Sequence, residues 1–222
     1  MALSKVDYNS LNVTAAASKA LKWNSSANGF ETGDVGGSLT LIKTLTASSS
    51  GDLSFVNGAS DVVLDSTYSV YKFVFASIHP QTDGETIYFQ FNGSDDTSSH
   101  AYNITKTTTW FNAYHNEADT DTTLAYDGSF DLAQSTAFQT INPGMGGDAD
   151  QCVSGELWLF TPSSTTFVTH FMAISNNSLF HDYQRVAYMA GYFNATAAIT
   201  AIQFKMSSGN IDAGTIKLYG VK

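Results

Sequence analysis

The sequence is short of charge, cysteine, proline and long apolar runs, and each shortage excludes something. Charged residues make up 14% of the 222 positions, against about 25% in an ordinary globular protein. Basic residues are the scarcer sign: 10 Lys and Arg stand against 20 Asp and Glu, for a net charge of -10. So acidic a surface repels phosphate backbones and anionic bilayers, which argues against nucleic-acid binding and membrane insertion. The single cysteine, Cys152, excludes an internal disulfide framework and a cysteine-ligated zinc site. It reads as a small buried apolar residue. No apolar run approaches the roughly 20 residues of a membrane helix. Met1 to Lys5 carries no long apolar stretch of the signal-peptide kind. Synthesis in a cytosol is therefore expected. The Asn-x-Ser/Thr triplets at Asn24, Asn92, Asn103, Asn176 and Asn194 then read as by-products of composition, not as glycan sites.

Catalytic signatures are missing as well. The nucleophile elbow, the P-loop, H-E-x-x-H and the dinucleotide fingerprint do not occur. None of the histidines, at 79, 100, 115, 170 and 181, sits four residues from another. His170 lies in a strand pattern and reads as a structural histidine. Acidic residues alternate at Glu117, Asp119 and Asp121 and again at Asp148 and Asp150. Calcium takes oxygen ligands from such loops, but the EF-hand spacing is not met. They read as solvated acidic loops, and no metal, no other cofactor and no enzymatic activity are expected.

What is present is the chemistry of strands and tight turns. Aromatics reach 13%, and Ser, Thr, Asn and Gly fill the polar positions. These residues favour strands and turns over helices. Strand patterns run over 39–46 (LTLIKTLT), 68–78 (YSVYKFVFASI), 86–91 (TIYFQF), 155–160, 167–175, 184–193, 199–207 and 215–221 (TIKLYGV). In 68–78, Tyr71, Phe73 and Phe75 share one face, and Val70, Val74 and Ile78 share the other. Asn57-Gly58, Asp83-Gly84, Asn92-Gly93 and Asp127-Gly128 are turn signals. The expected fold is all-β: an antiparallel, jelly-roll-like β-sandwich over 38–222, preceded by a short extended N-terminal arm over 1–37. A short helix over Asn9–Lys22 is the chief helical possibility. The polar stretch Asp95–Asp150 reads as long loops, with short strands at 101–104 and 137–141.

Within that stretch, TTTWFNAYHNE clusters Trp110, Phe111, Tyr114 and His115. Aromatic faces beside polar side chains hold a sugar ring by apolar stacking and hydrogen bonds. The competing reading of the cluster is core packing or a subunit interface. Trp158, in mid-strand, reads as core.

Three stretches resemble bacteriophage proteins. The segment Lys19-Ala20-Leu21-Lys22-Trp23-Asn24 to Phe30-Glu31 is similar to a short element of phage tail-fibre proteins. Asp65-Ser66-Thr67-Tyr68-Ser69-Val70-Tyr71-Lys72-Phe73-Val74-Phe75, and the ending Ala198–Phe204, Ser208–Ile211 and Gly214–Val221, look like parts of a jelly-roll-type domain of tailed bacteriophages. The resemblance implies a virion structural protein: a tail-fibre or tail-appendage subunit, or alternatively a capsid decoration protein of the cement or head-fibre kind. It implies no catalytic residues, and a carbohydrate-active enzyme is a distant third reading. Other virion proteins would be its partners, sister chains would join it in a homo-oligomer such as a trimer, and a host surface glycan would be its ligand. Leu21, Trp23 and Phe30 are the expected anchors for attachment or oligomerisation.

Overall fold

The computed structural model describes residues 19–33, 37–96 and 100–222. Its contacts divide the chain into two units, residues 1–38 and 39–222.

In the first unit, β1 (Ala20–Trp23) pairs antiparallel with β2 (Phe30–Gly33). Where an extended arm is expected there is a hairpin, and its connecting loop explains why. The Asn24 amide accepts from the Asn28 backbone N–H and donates to the Asn28 side chain, while Ala27 takes φ 53°. Side chains of this type tie loops to their own backbone. Trp23 and Phe30 are directly opposite and stack with centroids 4.4 Å apart. Lys22 and Glu31 pair at 3.3 Å beside them. The expected helix has residues 9–18 outside the described residues, and Ala20–Lys22 is strand.

The second unit is all-β and antiparallel, with no helix among the described residues. Its strands are β3 (Leu39–Thr46), β4 (Leu53–Val56), β5 (Val70–Pro80), β6 (Glu85–Gly93), β7 (Lys106–Asn116), β8 (Thr122–Tyr126), β9 (Gln139–Met145), β10 (Val153–Phe160), β11 (His170–Leu179), β12 (Tyr183–Phe193), β13 (Ile199–Met206) and β14 (Ile211–Val221). A long layer runs β3-β14-β5-β10-β11-β12-β7-β8, and a short one runs β9-β6-β13-β4. A single pairing, Leu179 with Met145, joins the two. The fold is thus an antiparallel β-sandwich whose layers meet at one corner.

The core lies between the layers and is rich in phenylalanine. Phe89, Phe91 and Phe204 of the short layer meet Phe73, Phe75, Phe171 and Phe193 of the long one, mostly edge to face. Such pairs add about 0.5–1.5 kcal/mol each beyond their area. Tyr71 is buried too. Its hydroxyl donates to the Asp65 carbonyl and accepts from the Asp65 N–H, which ties the incoming loop to the sheet.

Several expectations need correction. The region 95–150 holds more strand than expected: β7, β8 and β9 lie in it between its loops, built from Thr, Asn and Gln that carry weak alternation. Residues 101–104 form no strand, and the strand near 137–141 begins at Gln139. Asn92-Gly93 ends β6 instead of turning, and the Asn92 amide is buried against Thr200. Ile78 faces the core with Phe75, because Ser77 adopts φ 52° in a bulge that shifts the alternation by one. Trp158 is half-buried on the outer side, with Lys72 over its ring at 4.5 Å and its Nε1 donating to Glu156. His170 is exposed, and Cys152 is only half-buried.

Candidate functional site

The strand period decides the fate of the aromatic cluster in β7. Alternate side chains point to opposite faces, so Trp110 and Phe111 part company. Trp110 is fully buried and packs edge to face on Phe130 at 4.8 Å. It cannot be a stacking platform, and its Nε1 has no partner among the described residues. Phe111 emerges on the outside, stacked on Tyr188 with centroids 5.0 Å apart. Tyr114 packs against Tyr183, and His115 lies 3.1 Å from Asp119. The four do not converge on one site. Leu21, Trp23 and Phe30 do come together, and all three are exposed on the β1–β2 hairpin.

A concave site does exist one layer from Trp110. Its floor is a row across three strands of the short layer: Lys205 in β13, opposite Tyr88 in β6, opposite Thr140 in β9. Its wall is the segment 129–138, which contributes Phe130, Asp131 and Phe138. Together they line a cavity of ≈ 370 Å³, within the range of ligand sites. Trp110 supports this wall from behind through Phe130.

The wall is held by buried polar groups. Gln90 donates to the carbonyls of Thr136 at 2.7 Å and Ala137 at 3.1 Å. The Lys106 ammonium, fully buried, donates to the Ala137 carbonyl as well. Thr108 donates to Gln139 at 2.7 Å and accepts from the Leu132 N–H, and Gln139 donates to the Phe130 carbonyl. Burying these groups is tolerable only because their partners are in place. The result is a wall with a fixed shape before any ligand arrives.

The polar groups of the cavity are few. The Lys205 ammonium lies 4.1 Å from the Phe138 ring centroid. Asp131 accepts a short hydrogen bond from the Tyr126 hydroxyl, which raises that phenol's pKa. Asp131 is the one carboxylate among the residues lining the cavity. Three aromatic side chains, one donor cation and one acceptor carboxylate suit a ligand with both apolar faces and hydroxyl groups. Among the described residues, no three His, Cys, Asp or Glu side chains converge.

None of the four residues singled out in the sequence lines this cavity. Tyr88, Phe138 and Lys205 lie in three separate segments, and only strand pairing and the wall's return path bring them together.

No known protein family matches this chain, and no curated protein matches it. Among solved structures, the chain is similar at 10% identity and a TM-score of 0.23 to a glycoside hydrolase family 16 endo-glucanase from Bacteroides ovatus, over 94% of each chain.

Proposed function

We propose that the protein is a bacteriophage virion component, a tail-fibre or tail-appendage subunit whose β-sandwich binds a host surface glycan. The observation that carries the glycan reading is the preformed cavity over Lys205, Tyr88 and Thr140. A sugar ring lays its C–H face on Tyr88 or Phe130, gives hydroxyl protons to Asp131 and accepts from Lys205. The phage reading is supported by the resemblance of the segments 19–31, 65–75 and 198–221. The exposed Leu21, Trp23 and Phe30 cluster supports attachment or homo-oligomerisation, as in a trimer, through the hairpin.

The site is a binding module in this reading. Glycoside hydrolysis normally uses two carboxylates flanking the scissile bond, and the cavity lining offers Asp131 alone. The second reading is capsid decoration, in which the same hairpin anchors the chain on the capsid lattice. Quantitative mass spectrometry of virions separates the two: a few dozen copies or fewer indicate the tail, and hundreds indicate the capsid. The glycan role is tested by titrating the purified protein with host-surface polysaccharide by calorimetry. Phe138→Ala and Lys205→Gln should each weaken binding by about tenfold. No binding by the wild-type protein refutes the role.

A further inference from the structure

Among the described residues of 39–222, nothing covers the outer side of the long layer, and this side is unusually apolar. Leu41 is 54% exposed, Met172 50%, Phe111 40%, Tyr188 39% and Leu124 77%. They are not scattered. The registers place Leu41, Tyr219, Lys72, Trp158 and Met172 in one row across β3, β14, β5, β10 and β11. The neighbouring row carries Lys217, Val74, Glu156, Ile174, Tyr188, Phe111 and Tyr126 across β14 to β8, and Leu124 lies in the row beyond it with Ala113 and Val186. In a sandwich this side is ordinarily polar.

We propose that this face packs against the same face of a second copy of the chain. Its charge argues for that occupant. The whole chain carries -10, so two copies repel across most of their surface. In the two rows the single carboxylate, Glu156, is paired with Lys72 at 2.5 Å, so away from the β8 edge, where Tyr126 holds Asp131, like chains approach without facing each other's excess negative charge. Size argues the same way. Eight strands about 4.8 Å apart, with three to four outward rows, span on the order of 800 Å², which is what each partner of a standard stable interface contributes. The centre also has the composition of an interface core, with Trp, Tyr, Phe and Met around one satisfied ion pair. Phe111 and Tyr188 are already stacked, so little side-chain freedom is lost on pairing. This pairing is separate from any assembly through the β1–β2 hairpin.

Sedimentation velocity on the full chain, over protein concentrations from about 1 to 100 μM, tests the proposal. Association should appear in this range. Met172→Lys combined with Leu124→Lys should weaken it by about tenfold or more, because each places an unpaired cation in the interface. Both positions are exposed in one chain, and an unchanged melting temperature shows that the fold is kept. Oxidative footprinting of Met172, Trp158 and Tyr188 should fall as protein concentration rises. A chain that is monomeric throughout overturns the pairing. So does an oligomer that ignores the lysine variant and is lost with Trp23→Ala, which assigns assembly to the hairpin alone.

Discussion

Lys106 is fully buried, and its ammonium donates to the carbonyl of Ala137 with no carboxylate beside it among the described residues. Burial lowers its pKa from the usual 10.5 to about 7. The lysine therefore secures the cavity wall at a cost that depends on pH. Between about pH 7 and 10.5 the unfolded chain holds this proton and the folded chain releases it. Stability then rises with pH by up to about 1.4 kcal/mol per unit from this group. Below pH 7 both states are protonated, and the full cost remains. Urea midpoints measured from pH 6.5 to 9 should climb in the wild-type protein relative to Lys106→Met. Parallel curves for the two proteins would contradict the assignment.

Gly214 takes φ +107° opposite the Ser77 bulge, and a Cβ there would lie 2.4 Å from the Ser77 carbonyl oxygen. Backbone on both sides cannot move aside cheaply. Gly214→Ala should cost about 3 kcal/mol, read as a lower melting temperature in calorimetry. A loss under about 0.5 kcal/mol, the range of an inert surface change, would mean that the bulge relaxes.

The closing strand is an interior one. β14 pairs with β3 on one side and β5 on the other, and Ile216 and Leu218 are fully buried. Deleting Leu218–Lys222 should give insoluble protein, because it removes ladder bonds from two neighbours at once. The milder Leu218→Ala should cost about 2–5 kcal/mol in a denaturant titration. A soluble, cooperatively folding deletion product would count against this role.

The short bond from Tyr126 to Asp131 occupies one oxygen of the cavity's only lining carboxylate. Tyr126→Phe frees that oxygen, while Asp131→Asn removes the negative charge. The first should change glycan affinity by no more than about threefold, and the second should lower it by about tenfold. Calorimetry on the two variants checks the order. Equal losses would place the tyrosine hydroxyl itself on the ligand.

Gly220 shows how far the linear text reaches. In Thr215–Val221 the alternation of Ile216 and Leu218 is plain, and both face the core as the period of two requires. The glycine that follows is unexplained until the Tyr68 ring is seen lying over it, 2.4 Å from where its Cβ would be. Tyr68 is distant in sequence, and nothing local to Gly220 signals it. The long strands β3, β5, β6, β12 and β13 were legible in the same way as β14. β7 was not, because its threonines and asparagines face a buried polar network that looks, in sequence, like a solvated loop.

The sequence by itself determined the class of fold. Its phenylalanines at alternate positions, its few charges and its turn dipeptides leave a β-sandwich as the way to bury that apolar surface. It marked Leu21, Trp23 and Phe30 as a set, but the hairpin that brings them together stands where the sequence pattern suggests an extended arm. Tertiary structure alone decided which aromatics are available. Trp110 and Phe111 are chain neighbours, yet pleating sends one into the core and the other to an open face. The cavity was decided there too. Lys205, Tyr88 and Phe138 meet through cross-strand pairing and a wall pinned by Gln90 and Lys106, contacts between segments that carry no mark of one another along the chain.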